Sequence, residues 1–172
     1  PFRLLSFNLR KKPALVIPAS GLAHLAETPT HPPMPSLQSE DIECTINDSG
    51  KLEATVHFTS RGDAELLMRT IFRRVPNARW KQLAESISAA GGMRGKVEEI
   101  HAGDPGETTK PFEFTYKISS SDYLDWTQKK TQLALPFSGM DLPPAPDDNS
   151  GTDPIKLGAP GEQLYHLKLT FP

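Results

Sequence analysis

Three observations predict an α+β fold, a largely antiparallel sheet or sandwich with a pair of amphipathic helices packed on it. Apolar and polar residues alternate through Ile42, Cys44, Ile46 and again through Leu52, Ala54, Val56, Phe58. The period turns helical over residues 64–87. Alternation then returns at Phe112, Phe114, Tyr116, Ile118 and at Tyr165, Leu167, Leu169, Phe171. Strands, a helical pair and more strands in that order make an α+β domain.

The 172 residues carry 17 prolines, about twice ordinary usage. They cluster in residues 1–38 and 136–160, where fixed φ and missing donors favour extended or turning segments. The chain is therefore divided into a proline-rich segment, 1–38, and an α+β domain, 39–172. Within the first, Ala14-Leu15-Val16-Ile17 is a short apolar run between Pro13 and Pro18, which suits a buried strand. The chain opens on Pro1-Phe2-Arg3-Leu4-Leu5, inside an apolar pattern and without a signal-type start, and so reads as a fragment of a longer protein.

The first two alternating runs flank Asn47-Asp48-Ser49-Gly50, the turn chemistry of a hairpin. Next, Ala64, Leu67, Met68, Ile71, Phe72 and Val75 recur at helical spacing. Asp63 is the expected N-cap, and Pro76 forbids continuation. Glu65 and Arg69, four apart, are expected to support the exposed face. A second helix carries Trp80, Leu83, Ala84 and Ile87 on one stripe and stops at Gly91-Gly92. Further strands are expected at residues 97–100, 112–118, 133–137 and 165–171.

Charge and cysteine count narrow the function. Nineteen Lys and Arg against 21 Asp and Glu give a net charge of −2, so no dominant basic field for nucleic acid is expected. No apolar run is long enough for a membrane helix. One cysteine excludes an intrachain disulfide framework and a multi-cysteine zinc site. Cys44 falls on the inward phase of its strand, where it behaves as a small hydrophobe rather than an activated thiol. A cryptic hydrolase would need it exposed beside a histidine. The histidines include Glu98-x-x-His101, whose i,i+3 spacing points to opposite faces on a strand. His57 and His166 fall on polar phases.

The acidic run Asp147-Asp148-Asn149-Ser150-Gly151-Thr152-Asp153 departs from a calcium loop, with Gly151 fifth rather than sixth and Gly158 where a Glu is needed. Arg69, Arg73, Arg74, Arg79 and Lys81 read as a solvated helix face. No catalytic, cofactor-binding or metal residue is assigned. Tyr123 and Trp126, in Ser121-Asp122-Tyr123-Leu124-Asp125-Trp126, are the candidate ligand contacts, suited to a sugar or peptide.

Several segments carry a family resemblance. They are Pro1-Phe2-Arg3-Leu4-Leu5, Ala14-Leu15-Val16-Ile17-Pro18, Glu27-Thr28-Pro29, Arg61-Gly62-Asp63-Ala64-Glu65 with Arg69, Thr109-Lys110-Pro111-Phe112, Asp122-Tyr123-Leu124-Asp125-Trp126 and Asp153-Pro154-Ile155-Lys156-Leu157-Gly158. In this order they resemble the C-terminal region of bacterial transglutaminase-like proteins. Such proteins carry an N-terminal β-sandwich domain of unknown function, a papain-like core with a Cys-His-Asp triad and a β-rich C-terminal domain. The resemblance implies that the triad lies upstream, that no catalytic residue carries over to this chain, and that the upstream domains of the parent are its partners. It also implies an extracytoplasmic, periplasmic or secreted, location. The expected function is a non-catalytic accessory domain with a structural, partner-binding or substrate-presenting role; the alternative is a carbohydrate- or peptide-binding β-sandwich module.

Overall fold

The computed structural model describes residues 4–128, 130 and 160–172. Its secondary structure begins with a 3-10 turn at Phe7–Leu9, then β1 (Pro13–Val16), β2 (His24–Glu27), β3 (Leu37–Ile46) and β4 (Leu52–Arg61). Helix α1 (Gly62–Arg74), a 3-10 turn at Asn77–Arg79 and helix α2 (Trp80–Ala90) follow, then β5 (Lys96–Ala102), β6 (Phe112–Ser120) and β7 (Glu162–Thr170). The expected strand at 133–137 and the acidic run at 147–153 lie outside the described residues.

Strands β3 to β7 form one sheet in the order β5-β6-β4-β3-β7. Its pairs are antiparallel except β3 with β7, which is parallel. Because β6 lies between β4 and β5, the two helices form the crossover of a split β-α-β unit. They cover one face of the sheet, so the architecture is the expected α+β with a largely antiparallel sheet. The β3–β4 hairpin pairs Cys44 with Ala54 and Ile42 with Val56, as the alternation requires.

The core lies between sheet and helices. Val56, Phe58, Phe112, Phe114, Ile118 and Phe72 are among its largest fully buried apolar side chains, together with Ile46 and Leu52. Phe72 of α1 meets Phe112 and Phe114, each at 5.0 Å between centroids, and Trp80 of α2 at 5.2 Å. Edge-to-face and tilted contacts of this kind add to the area they bury.

Several readings are corrected. Asp63 is not the N-cap: α1 begins at Gly62, and the Ser36 hydroxyl, arriving from the β3 approach, accepts the Ala64 N–H at 3.2 Å. Gly62 has φ +68°, and a Cβ there would collide with the Pro35 carbonyl and Ser36 backbone, so only glycine admits that close approach. Second, the Glu65–Arg69 pair forms, with Nε donating to Oε1 at 2.8 Å, but it is buried rather than exposed. Leu67, expected on the apolar stripe, faces outward instead.

Third, Ala14 to Val16 does lie in a strand, yet β1 pairs only with β2 and the two form an arm outside the core. Ile17, Leu22 and Leu25 are 78%, 90% and 79% exposed. Fourth, a β-bulge between Val97 and Glu99 shifts the phase of β5. Glu98 and His101 consequently share the outer face, Glu98 accepting from Ser119 Oγ and His101 contacting Glu99.

Candidate functional site

Cys44 projects from β3 into the core and is 2% exposed. Its strand neighbours on that face are Ile42 and Ile46, and burial pushes its thiol up to about 11. A thiol in that state supplies almost no nucleophilic thiolate near neutrality. His57 and His166 stand on the opposite face of the same sheet: His57 Nδ1 lies 2.8 Å from Thr115 Oγ1, and His166 Nδ1 2.7 Å from Asp41 Oδ1. His24, His31 and His101 are exposed elsewhere. The sheet itself separates sulfur from imidazole. Among the described residues no group of three or more His, Cys, Asp or Glu converges as metal ligands, and no helix is long and apolar enough to cross a membrane.

Tyr123 and Trp126 are both placed by the β3–β4 turn. Asn47 organises that turn: its side-chain oxygen accepts the N–H groups of Ser49 and Lys51, each at 3.0 Å. Gly50 follows at φ +78°, and the Leu124 backbone sits where its Cβ would be. That contact is secured by the Leu124 N–H donating to the Gly50 carbonyl at 3.1 Å. The chain then carries Trp126 back over the turn, where its indole N–H donates to the Asn47 carbonyl at 3.0 Å.

The two aromatics diverge in environment. Tyr123 packs against the core cluster, and burial raises its phenol pKa. Trp126 is 46% exposed and meets Phe171, itself 48% exposed, edge to face at 6.5 Å. Trp126, Phe171, Pro172 and Asp48 line an open cleft of about 390 Å³, and Tyr123 is not among its walls. Phe171 was legible only as the end of an alternating strand; its role beside Trp126 depends on the parallel pairing that brings the end of β7 beside the β3–β4 turn.

A second cleft lies under the helices, with a volume of about 210 Å³. Gln38, Glu40 and Ile42 of β3, Phe58 of β4 and Tyr116 of β6 form its floor. Met68 of α1, Ile87 and Ser88 of α2, and Met93 close it from above. Gln38 Nε2 donates to Glu40 Oε1 at 2.9 Å. Burial raises the Glu40 pKa against that hydrogen bond, and burial pushes the Tyr116 phenol up to about 12, with Ser88 in hydrogen-bonding reach. The signal for this cleft was present in the alternation. Carrying the inward phase of Ile42 and Cys44 back along the strand puts Glu40 and Gln38 inside.

Comparison of the chain with protein-family models, with curated proteins and with solved structures gives no match.

Proposed function

We propose that this chain is a non-catalytic accessory module of a transglutaminase-like parent, working by packing, partner binding or substrate presentation. One observation carries the reading: the sole thiol is sealed in the core, and every imidazole lies outside it. Nucleophilic catalysis by cysteine needs a base within hydrogen-bonding reach of an accessible sulfur. Here the two are on different faces of one sheet. The family assignment itself rests on the segment resemblance, of which Arg61-Gly62-Asp63-Ala64-Glu65 with Arg69 forms the buried join between sheet and helix.

Incubation with amide, peptide and ester substrates tests the catalytic half of this proposal. The expected result is no turnover above buffer; turnover that disappears in Cys44→Ala would overturn it. Native-state thiol labelling gives an independent check. Labelling is expected to be slow and to become fast only on unfolding.

A carbohydrate- or peptide-binding role is favoured by the Trp126–Phe171 cleft, where an exposed indole and a phenyl ring flank Asp48. Exposed aromatic faces of this kind stack on sugar rings and proline rings. Glycan- and peptide-array binding lost in Trp126→Ala supports that reading, and binding that survives the substitution removes the site.

A further inference from the structure

The cleft under the helices has a chemistry that neither packing nor the Trp126 edge accounts for. Its walls are apolar or aromatic: Ile42, Phe58, Met68, Ile87, Met93 and the Tyr116 ring. Into this lining β3 sends one charged side chain, Glu40, where the pattern of the strand calls for another Ile or Val. Among the described residues, Glu40 takes part in no ion pair, and its hydrogen-bond donor is the neutral amide of Gln38. The buried carboxyl of Glu65 is treated differently, with Arg61 at 3.2 Å and Arg69 at 2.8 Å.

A carboxyl kept in a half-buried apolar cleft without a counter-ion costs stability unless something compensates it. Packing alone would be better served by an aliphatic side chain of the same volume. The second oxygen of Glu40, unlike the one bonded by Gln38, has no hydrogen-bond donor among the described residues and is available to a guest. Phe58 and Tyr116 line the same cleft, aromatic rings of the kind that attract cations, as do Met68 and Met93, whose thioether side chains adapt to an alkyl guest.

The geometry points to this cleft as a binding site for a small organic ammonium ion with a short alkyl body, its charge on Glu40 and its chain against Met68 and Met93. A volume of about 210 Å³ admits a primary alkylammonium of a few carbons and is too small for a sugar ring with its hydration or for a folded peptide segment. Anions are disfavoured by Glu40, and a neutral alcohol of the same shape gains neither the ion pair nor the cation–π contact.

The test uses n-butylammonium chloride as probe, 1-butanol as its neutral counterpart, and the methyl resonances of Met68 and Met93 as readout. Butylammonium is expected to shift both methyls saturably, while 1-butanol at equal concentration leaves them in place. Glu40→Gln is expected to weaken butylammonium binding at least tenfold, with circular dichroism unchanged. Met68→Trp, which fills the cleft without touching the carboxylate, is expected to abolish binding too. Absence of a saturable shift, equal shifts from the alcohol, or full affinity retained in Glu40→Gln would each overturn the assignment. Because the readout sits under the helices, it is independent of any ligand at Trp126.

Discussion

Arg10 and Asp63, 53 residues apart in the chain, face each other with Nη2 2.9 Å from Oδ1 and Nη1 2.9 Å from Oδ2. The first is an aligned hydrogen bond and the second a charge contact. Arg10 also donates from Nε to the Leu5 carbonyl at 2.9 Å. Asp63 thus does two things in the first turn of α1: it complements the positive end of the helix and it anchors the root of the β1–β2 arm.

Arg10→Ala should therefore release the arm before it unfolds the domain. The expected loss is about 1.5–3 kcal/mol in a urea melt, the range for a hydrogen bond to a charged group. Trypsin should cut after Lys11 markedly faster than in the parent chain. The Thr28 hydroxyl, which donates to the Leu9 carbonyl at 2.7 Å, gives the matching variant: Thr28→Val should accelerate the same cut. Unchanged cleavage in both would mean that the arm is held by something other than its root.

Arg69 joins three parts of the molecule. It donates from Nε to Glu65, from Nη1 to the Asp104 carbonyl at 2.9 Å and from Nη2 to the Lys110 carbonyl at 2.8 Å, while its guanidinium lies 5.1 Å from the Phe112 ring centre. A planar fork with donors on three sides suits this arrangement and a lysine does not. Arg69→Ala is expected to cost about 3–5 kcal/mol, because it strips a buried carboxylate of one partner. Arg69→Lys should recover little of that. Hydrogen exchange in residues 104–110 should rise in both variants, and protection equal to the parent's would show that the loop does not depend on the guanidinium.

How far the sequence could be read follows from which patterns carry a direction. Period two at Ile42, Cys44, Ile46 and at Phe112 to Ile118 places strands and also their inner face, since polar neighbours mark the solvent side. The Glu65–Arg69 spacing places two charges on one helical face without saying which face. Burial was settled by remote groups, the Asp104 and Lys110 carbonyls and the Phe112 ring, that no local window contains. Ala14 to Val16 has the composition of a buried strand, but burial needs a surface to pack on, and β1 finds only β2. The bulge at Glu98 is one residue of register and leaves no periodic trace. Trp126 stands out by residue type, whereas its neighbour Phe171 depends on the parallel β3–β7 pairing across a long connection.

The same distinction sets the cost of two core truncations. Phe114 is fully buried, stacks on Phe58 at 4.6 Å and touches Phe72. Phe114→Ala should cost about 3–5 kcal/mol. Leu167 sits on β7, an edge strand, where the helices leave it only half-buried. Leu167→Ala should cost about 1–2 kcal/mol, a fraction of the full transfer value. Denaturant melts of the two variants side by side measure the gap; equal losses would mean that β7 is covered as fully as β6.

Glu40 makes the stability of the fold depend on pH in a recognisable direction. Burial raises its pKa from the ordinary 4.5, so over the interval above 4.5 the folded chain binds a proton that the unfolded chain has lost. Stability from this group is therefore complete below the ordinary value and declines as pH rises through the raised one. The groups facing it are few: Cys44 on its own strand, Tyr116 on β6 and, by register, Tyr165 on β7, with neutral Met68 and Ser88 above. Burial pushes Cys44 up to about 11 and Tyr116 up to about 12, far above the interval in question. Glu99 on the outer face works in the opposite sense, because hydrogen bonds from Lys117 and then His101 hold it down to about 2, so its contribution is lost only as pH falls below 4.5. The two effects thus occupy separate windows. Glu40→Gln should be close to the parent in stability at pH 4 and gain on it as pH rises above 4.5, with Tm measured at half-unit intervals from pH 4 to pH 7. A difference that stays flat across that range, or a variant weaker than the parent at every pH, would show that the cleft does not disfavour the charged carboxylate.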